Sequence, residues 1–140
     1  LEVGSARAHI MRNHTTTHLL NWALREVLGD GVDQKGSEVT ADKTRFDFSY
    51  DKPLTPDQVA EIERLVNEKI YADLPVTPVV MPLGEAKEIP GLRAVFGEKY
   101  PDPVRVVLIG ATSPDAANRS HSVEFCGGTH LTHTGEAGFF

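Results

Sequence analysis

Two pairs of metal-ligating side chains, one near each end of the chain, constrain this sequence more than any other feature. His14-Thr15-Thr16-Thr17-His18 places two imidazoles four residues apart in a helix-forming stretch. Four residues is slightly more than one helical turn, so both rings project from one face with Cβ atoms roughly 6 Å apart. That separation lets two ring nitrogens meet a single ion at about 2.0–2.1 Å each. Cys126-Gly127-Gly128-Thr129-His130 is the second pair. Its two glycines permit a tight loop that turns the thiolate and the imidazole inward. Either pair alone is a weak signal, because capping histidines and buried cysteines are common. No Glu follows the first His, which sets aside the HExxH pattern. Together, His14, His18, Cys126 and His130 form a His3Cys donor set suited to Zn2+. His9, ahead of the helix, His121, at a loop end, and His133 are expected to be solvated or to support the ligands.

The chain has 140 residues, 40% of them hydrophobic, enough for a single domain with a real core. One cysteine excludes an internal disulfide, suits a reducing compartment and leaves Cys126 available to a metal. No apolar run approaches the ~18–20 residues of a membrane helix, and no secretory signal is present. The net charge of −6 opposes nucleic acid, so local basic residues or other domains must attract any RNA handled here. A start at Leu1 without Met, and an end on Phe139-Phe140, read as those of a piece of a longer protein.

Residues from about Met11 to Leu28 carry the stripe of an amphipathic helix through Leu20, Ala23, Leu24, Val27 and Leu28. Arg25 lies in its last turn and Gly29 follows as a C′ residue. The histidine pair sits beside that stripe, which predicts a half-buried site. Asp30-Gly31, Lys35-Gly36-Ser37 and Asp42-Lys43 read as turns. Glu38–Thr40 and Thr44–Tyr50 read as strands, with Phe46, Phe48 and Tyr50 on one face, in the core, and Arg45 and Asp47 opposite. Thr55-Pro56-Asp57-Gln58 is a capping box with Pro at the first helical position. The helix it opens carries Val59, Ile62, Val66 and Ile70 and ends near Tyr71. Val76–Met81 reads as a strand broken by Pro78, Glu85–Glu88 as a helical turn, and Val104–Ile109 as a strand that is apolar apart from Arg105. Thr112–Ser120 reads as a mobile polar loop, and Ser122–Phe125 as the strand that delivers Cys126. Helices and strands mix without βαβ alternation, so the expected class is α+β: two main helices packed on a mixed or antiparallel sheet.

The motifs carry a resemblance. Arg12-Asn13-His14-Thr15-Thr16-Thr17-His18-Leu19-Leu20 resembles the RNHTATHLL stretch of alanyl-tRNA synthetases. In order, Gln34–Ser37, Arg45–Phe48, Phe96–Tyr100, Val123–His130 and Thr134–Phe139 resemble later stretches of that family's editing domain, shared in looser form with threonyl-tRNA synthetase. Thr16 departs mildly from the usual Ala, and Thr112–His121 looks like an insertion at the pocket rim. The resemblance implies an aminoacyl-tRNA ester hydrolase that deacylates Ser-tRNA(Ala) and Gly-tRNA(Ala). It implies zinc as cofactor, the tRNA(Ala) acceptor end and the parent synthetase's other domains as partners, and a cytoplasmic location. The parent would attach alanine with ATP, at a site that lies elsewhere.

An alanine pocket discriminates poorly against glycine or serine, since one small group gives only roughly 10–200-fold. Serine is best selected by hydrogen bonds to its hydroxyl. Thr15, ahead of Thr16, is the expected partner, and Gln34 matches a pocket residue of the family. The Gly127 and Gly128 amides are expected near the developing oxyanion. A complete set of four ligands favours an ion that organises the pocket, whereas a loose ligand would let it activate water; both readings stand at this point. Lys99 and Arg93 are expected on a solvated face, within reach of an acceptor end. A freestanding deacylase acting in trans and a non-catalytic zinc-stabilised RNA-binding module are the alternatives.

Overall fold

The computed structural model describes residues 4–95 and 97–140. Leu1 and Phe96, the first position of one motif above, lie outside the described residues. The elements are helix α1 (Gly4–Leu28), strands β1 (Gln34–Val39) and β2 (Thr44–Phe48), helix α2 (Pro56–Tyr71), strand β3 (Val76–Met81), the short helix α3 (Leu83–Ala86), and strands β4 (Leu92–Arg93), β5 (Val104–Ile109) and β6 (Ser122–Phe125). The expected α+β class is observed, with a mixed four-stranded sheet in the order β3-β5-β6-β4 and a separate β1-β2 hairpin. β4 runs parallel to β6, and the other pairs are antiparallel.

α2 follows its sequence signals closely. Thr55 accepts from Gln58 N, the Gln58 side chain returns to Thr55 N, and Pro56 opens the helix. Ile62, Val66 and Ile70 are buried against Leu19, Ala23 and Leu24 of α1 and against Val76, Val107 and Ile109 of the sheet. Val104, Val106, Leu108 and Val123 project from the opposite sheet face and pack under Ala86, Ile89, Ala111 and Ala117. The central strands are therefore covered on both faces, which is why β5 is apolar apart from Arg105.

Several elements depart from expectation. α1 starts at Gly4, seven residues before Met11, so His9 lies inside it and exposed. Its first turns lack a clear apolar stripe because neither face meets the core. Lys35-Gly36-Ser37 is strand, not turn: β1 pairs with β2 through an irregularity between Gln34 and Gly36. A bulge of this kind satisfies a Gly signal as well as a turn does. β2 stops at Phe48, short of Tyr50. β3 is not broken at Pro78; it is an edge strand and Pro78 is exposed, where a missing N–H costs no ladder bond. The short helix spans 83–86 rather than 85–88. The 112–120 segment contains a 3-10 turn at Pro114–Ala116 and is tied down at three points. Ala117 is buried, Arg119 pairs with Asp30, and Lys69 Nζ donates to Ser120 O at 3.0 Å.

Candidate metal centre

α1 carries His14 and His18 on the face turned toward β6, and β6 delivers Cys126 at its end. The ligating atoms of His14, His18, Cys126 and His130 all lie within 4.8 Å of one another. His14 Nε2 is 3.2 Å and His130 Nε2 is 3.3 Å from Cys126 Sγ. Edges of about 3.3–3.7 Å are what tetrahedral coordination at 2.0–2.3 Å requires. His18 Nε2 is buried and has no hydrogen-bond partner among the described residues. A buried, unpaired ring nitrogen beside two imidazoles and a thiol is the arrangement a divalent cation satisfies. The four residues fit such an ion.

A supporting layer fixes each ring. His18 Nδ1 donates to Glu124 Oε2 at 2.5 Å, and Asn21 Nδ2 donates to Glu124 Oε1 at 2.8 Å. Glu124 is buried on the interior strand β6. Its carboxylate holds His18 with Nε2 turned to the ligand cluster, the support typical of metal-binding histidines. Burial alone would push the His18 pKa down, but the charges and hydrogen bonds of Glu124 and Cys126 together outweigh it and raise it. Burial alone would push the Cys126 thiol up. Hydrogen bonds from His130 and His14, with the charge of His18, bring it down to about 3, into the thiolate form that ligates.

The loop after Cys126 is shaped by close approach. A Cβ at Gly128 would lie 2.1 Å from His14 Cε1, so only glycine fits there, whereas a Cβ at Gly127 would meet nothing within 4 Å. Arg105 on β5 donates through Nη1 to Cys126 O at 2.9 Å and to Gly128 O at 2.7 Å. Gly128 N is aimed at Cys126 Sγ at 3.4 Å.

A cavity of about 350 Å³ opens on the cluster, with His14, His18 and Cys126 at its floor. Thr17, Asn21, Gln34 and Ser37 supply polar wall, Phe46, Leu92, Val95, Tyr100 and Phe125 apolar wall, and Arg93 a cation. Tyr100 meets Phe125 edge-on at 4.8 Å. Gln34 thus stands where expected, with Nε2 donating to Ser37 Oγ at 3.3 Å. Phe46 both packs on the core and faces the cavity. Thr15 is fully buried behind the wall. Its Oγ1 accepts from Leu131 N at 3.1 Å and sits 3.2 Å from His130 Nδ1, so it orients that ring. Thr16 Oγ1 turns back to Arg12 O, and the threonine on the cavity wall is Thr17. Gly127 and Gly128 lie outside the wall. Asn21, Glu124 and Arg105 escaped sequence reasoning; a Glu two residues before Cys126 on an interior strand was the available signal. Arg45 pairs with Glu38 and Asp47 on the exposed face of the hairpin. His121 packs on Gly110, and His133 sits between Asp73 and Glu136.

Residues 104–140 match the model of the threonyl and alanyl tRNA synthetase second additional domain. The chain is 50% identical, over 96% of its length, to the cytoplasmic alanine-tRNA ligase of Dictyostelium discoideum. It is 56% identical over 91% of its length to the alanine-tRNA ligase of Treponema denticola, and 50% identical over 93% to that of Schizosaccharomyces pombe. It spans 15%, 20% and 14% of those relatives respectively. The resemblance carried by the motifs is therefore shown: over nearly its whole length this chain corresponds to one segment of the alanine-tRNA ligases, the segment that runs into their second additional domain.

Proposed function

We propose that the chain is an editing unit that hydrolyses the ester of Ser-tRNA(Ala) and of Gly-tRNA(Ala), with Zn2+ held by His14, His18, Cys126 and His130. One observation carries the reading: four converging ligand atoms, three of them from residues that line a cavity whose walls hold both hydrogen-bonding and aromatic groups. Bound there, the ion would supply a fixed positive charge at the ester end of the substrate.

The chain's own residues do the selecting. Thr17 Oγ1 donates to Asn13 O at 2.7 Å and keeps a lone pair to accept from a serine hydroxyl. The Gln34 amide can donate and accept across the same space. Alanine would leave both unpaired, which is how a polar site rejects an analogue lacking a hydroxyl. The apolar wall of Phe46, Leu92 and Tyr100 is suited to stacking a terminal base. Thr15 and Glu124 act through His130 and His18 by fixing the ring orientations. Of the two glycine amides, that of Gly128 faces the thiolate, so Gly127 is the one we assign to the developing oxyanion.

The compartment implied is the cytoplasm, and the further partners are the remaining domains of a synthetase that charges tRNA(Ala) using ATP. The test is deacylation of Ser-tRNA(Ala) and Ala-tRNA(Ala) by the metal-loaded chain, with and without Cys126→Ala. Selective loss of the seryl ester, abolished by the substitution, is expected. RNA binding without hydrolysis by the intact parent protein would instead establish a zinc-stabilised binding module.

A further inference from the structure

Acidic residues outnumber basic ones in this chain, 20 to 14. Yet two neighbouring guanidinium groups beside the cavity form no ion pair with a carboxylate among the described residues. Arg25 follows His14, His18 and Asn21 along one face of α1, at steps of four, three and four residues. It is only 6% exposed. Its Nη1 donates to Gly91 O at 3.1 Å, while Nε and Nη2 are buried with no partner among the described residues. Arg93, two residues past Gly91, stands on the cavity wall. Its Nη2 bonds Val32 O and lies 3.4 Å from Asn21 Oδ1. Burial first, then the charges of Arg93 and Arg119, lowers the pKa of Arg25.

Two of the nearby carboxylates are held by other groups, and the exposed Glu26, whose charge reaches Arg25, forms no ion pair with it. Both oxygens of Asp30 face Arg119 Nη2 at 2.7 Å. Glu124 is held by His18 and Asn21. Asp33 and Glu98 are exposed at the cavity rim. A buried guanidinium beside a second one is costly unless an anion completes the site. Asn21 links the two ends of the cavity: its amide nitrogen serves Glu124 and its oxygen faces Arg93. Arg25 lies seven residues beyond His18, about 10 Å along the helix, on the scale of one nucleotide.

We propose that Arg93, backed by Arg25, forms a phosphate subsite for the last internucleotide phosphate of an RNA 3′ end whose terminal ester lies over the His14–His18–Cys126–His130 cluster. The inference rests on the editing reading. Guanidinium groups suit it because their paired N–H donors match phosphate oxygens. The guanidinium pair also supplies the local attraction for RNA that this acidic chain otherwise lacks.

The test uses the full chain loaded with Zn2+ and a serylated RNA minihelix ending in CCA. The minihelix is made with either a natural or an uncharged methylphosphonate linkage at the last internucleotide position. Binding is read by fluorescence anisotropy across salt concentrations, and deacylation in parallel. The neutral linkage is expected to weaken wild-type binding about tenfold and to reduce the salt slope by about 0.7. Arg93→Gln should lose as much on the natural RNA and nothing further on the neutral one. The modified linkage needs no protein variant, so the test stands even where Arg93→Gln impairs folding. Equal wild-type affinity for the two RNAs, or losses that simply add, would overturn the subsite. If that happens while the seryl ester is still cleaved, the editing reading survives alone. A wild-type chain that neither binds nor cleaves the natural minihelix overturns both.

Discussion

Glu124 Oε2 lies 2.5 Å from His18 Nδ1, and the pair is buried between α1 and the interior strand β6. This contact decides which nitrogen of His18 faces the cluster. Glu124→Gln is expected to weaken metal affinity roughly 10–100-fold, the usual cost of losing a carboxylate behind a ligating histidine. Chelator competition on the purified variant measures it. Unchanged affinity would show that His18 needs no such support.

Adjacent glycines should differ sharply on substitution. Gly128→Ala places a methyl where the His14 ring now sits, 2.1 Å from Cε1, so the ring must leave. Gly127→Ala meets open space. We expect Gly128→Ala to lose most of its bound metal, measured as zinc per chain, and Gly127→Ala to retain it. If Gly127 carries the oxyanion role, its variant still loads metal normally.

The turn that follows the ligand loop is closed by His133, which lies between Asp73 and Glu136. The hydrogen bond that His133 donates to Asp73 raises the His133 pKa above its ordinary 6.5, and the same bond lowers Asp73 below 3.8. A raised histidine stabilises fully below its unfolded value and loses that contribution as pH rises through its folded value. A lowered carboxylate stabilises above its unfolded value and loses that contribution as pH falls through its folded one. The contact is therefore at full strength between roughly pH 4 and 6.5 and fades at higher pH. Thermal melts of wild type and His133→Asn should differ most near pH 5 and converge as pH rises through the raised value of His133. A difference that does not vary with pH would remove the ion pair from the account.

Leu108 is fully buried in the second core cluster, while Val80, also on the sheet, is 66% exposed. Leu108→Ala is expected to cost about 2–5 kcal/mol and Val80→Ala less than about 0.5 kcal/mol. Urea unfolding curves of both variants check the contrast.

The parts of the fold that could be read from sequence were those with local causes. The capping box of α2 and the repeat of Ile62, Val66 and Ile70 depend on spacings within one helix. The four side chains that converge in the cluster were legible as candidates because histidine and cysteine chemistry is narrow. Their supports were not. Glu124 and Arg105 look like ordinary polar strand residues until the strand order places β6 inside the sheet and β5 beside the Cys126 loop. Thr15, Thr16 and Thr17 are chemically alike, and only the roll of α1 assigns one to His130, one to the backbone and one to the cavity. Gly36 looked like a turn because a bulge and a turn call for the same residue.

His14 and Cys126 are 112 residues apart in the chain, yet their ligand atoms touch. During synthesis, α1 leaves the ribosome with half of the cluster and must wait for the 112 residues that separate His14 from Cys126 before the other half arrives. The His14–His18 pair alone offers a passing ion only two donors. An ion held by all four donors would thus report that β6 has docked, and a chain truncated before Cys126 would lack the complete set.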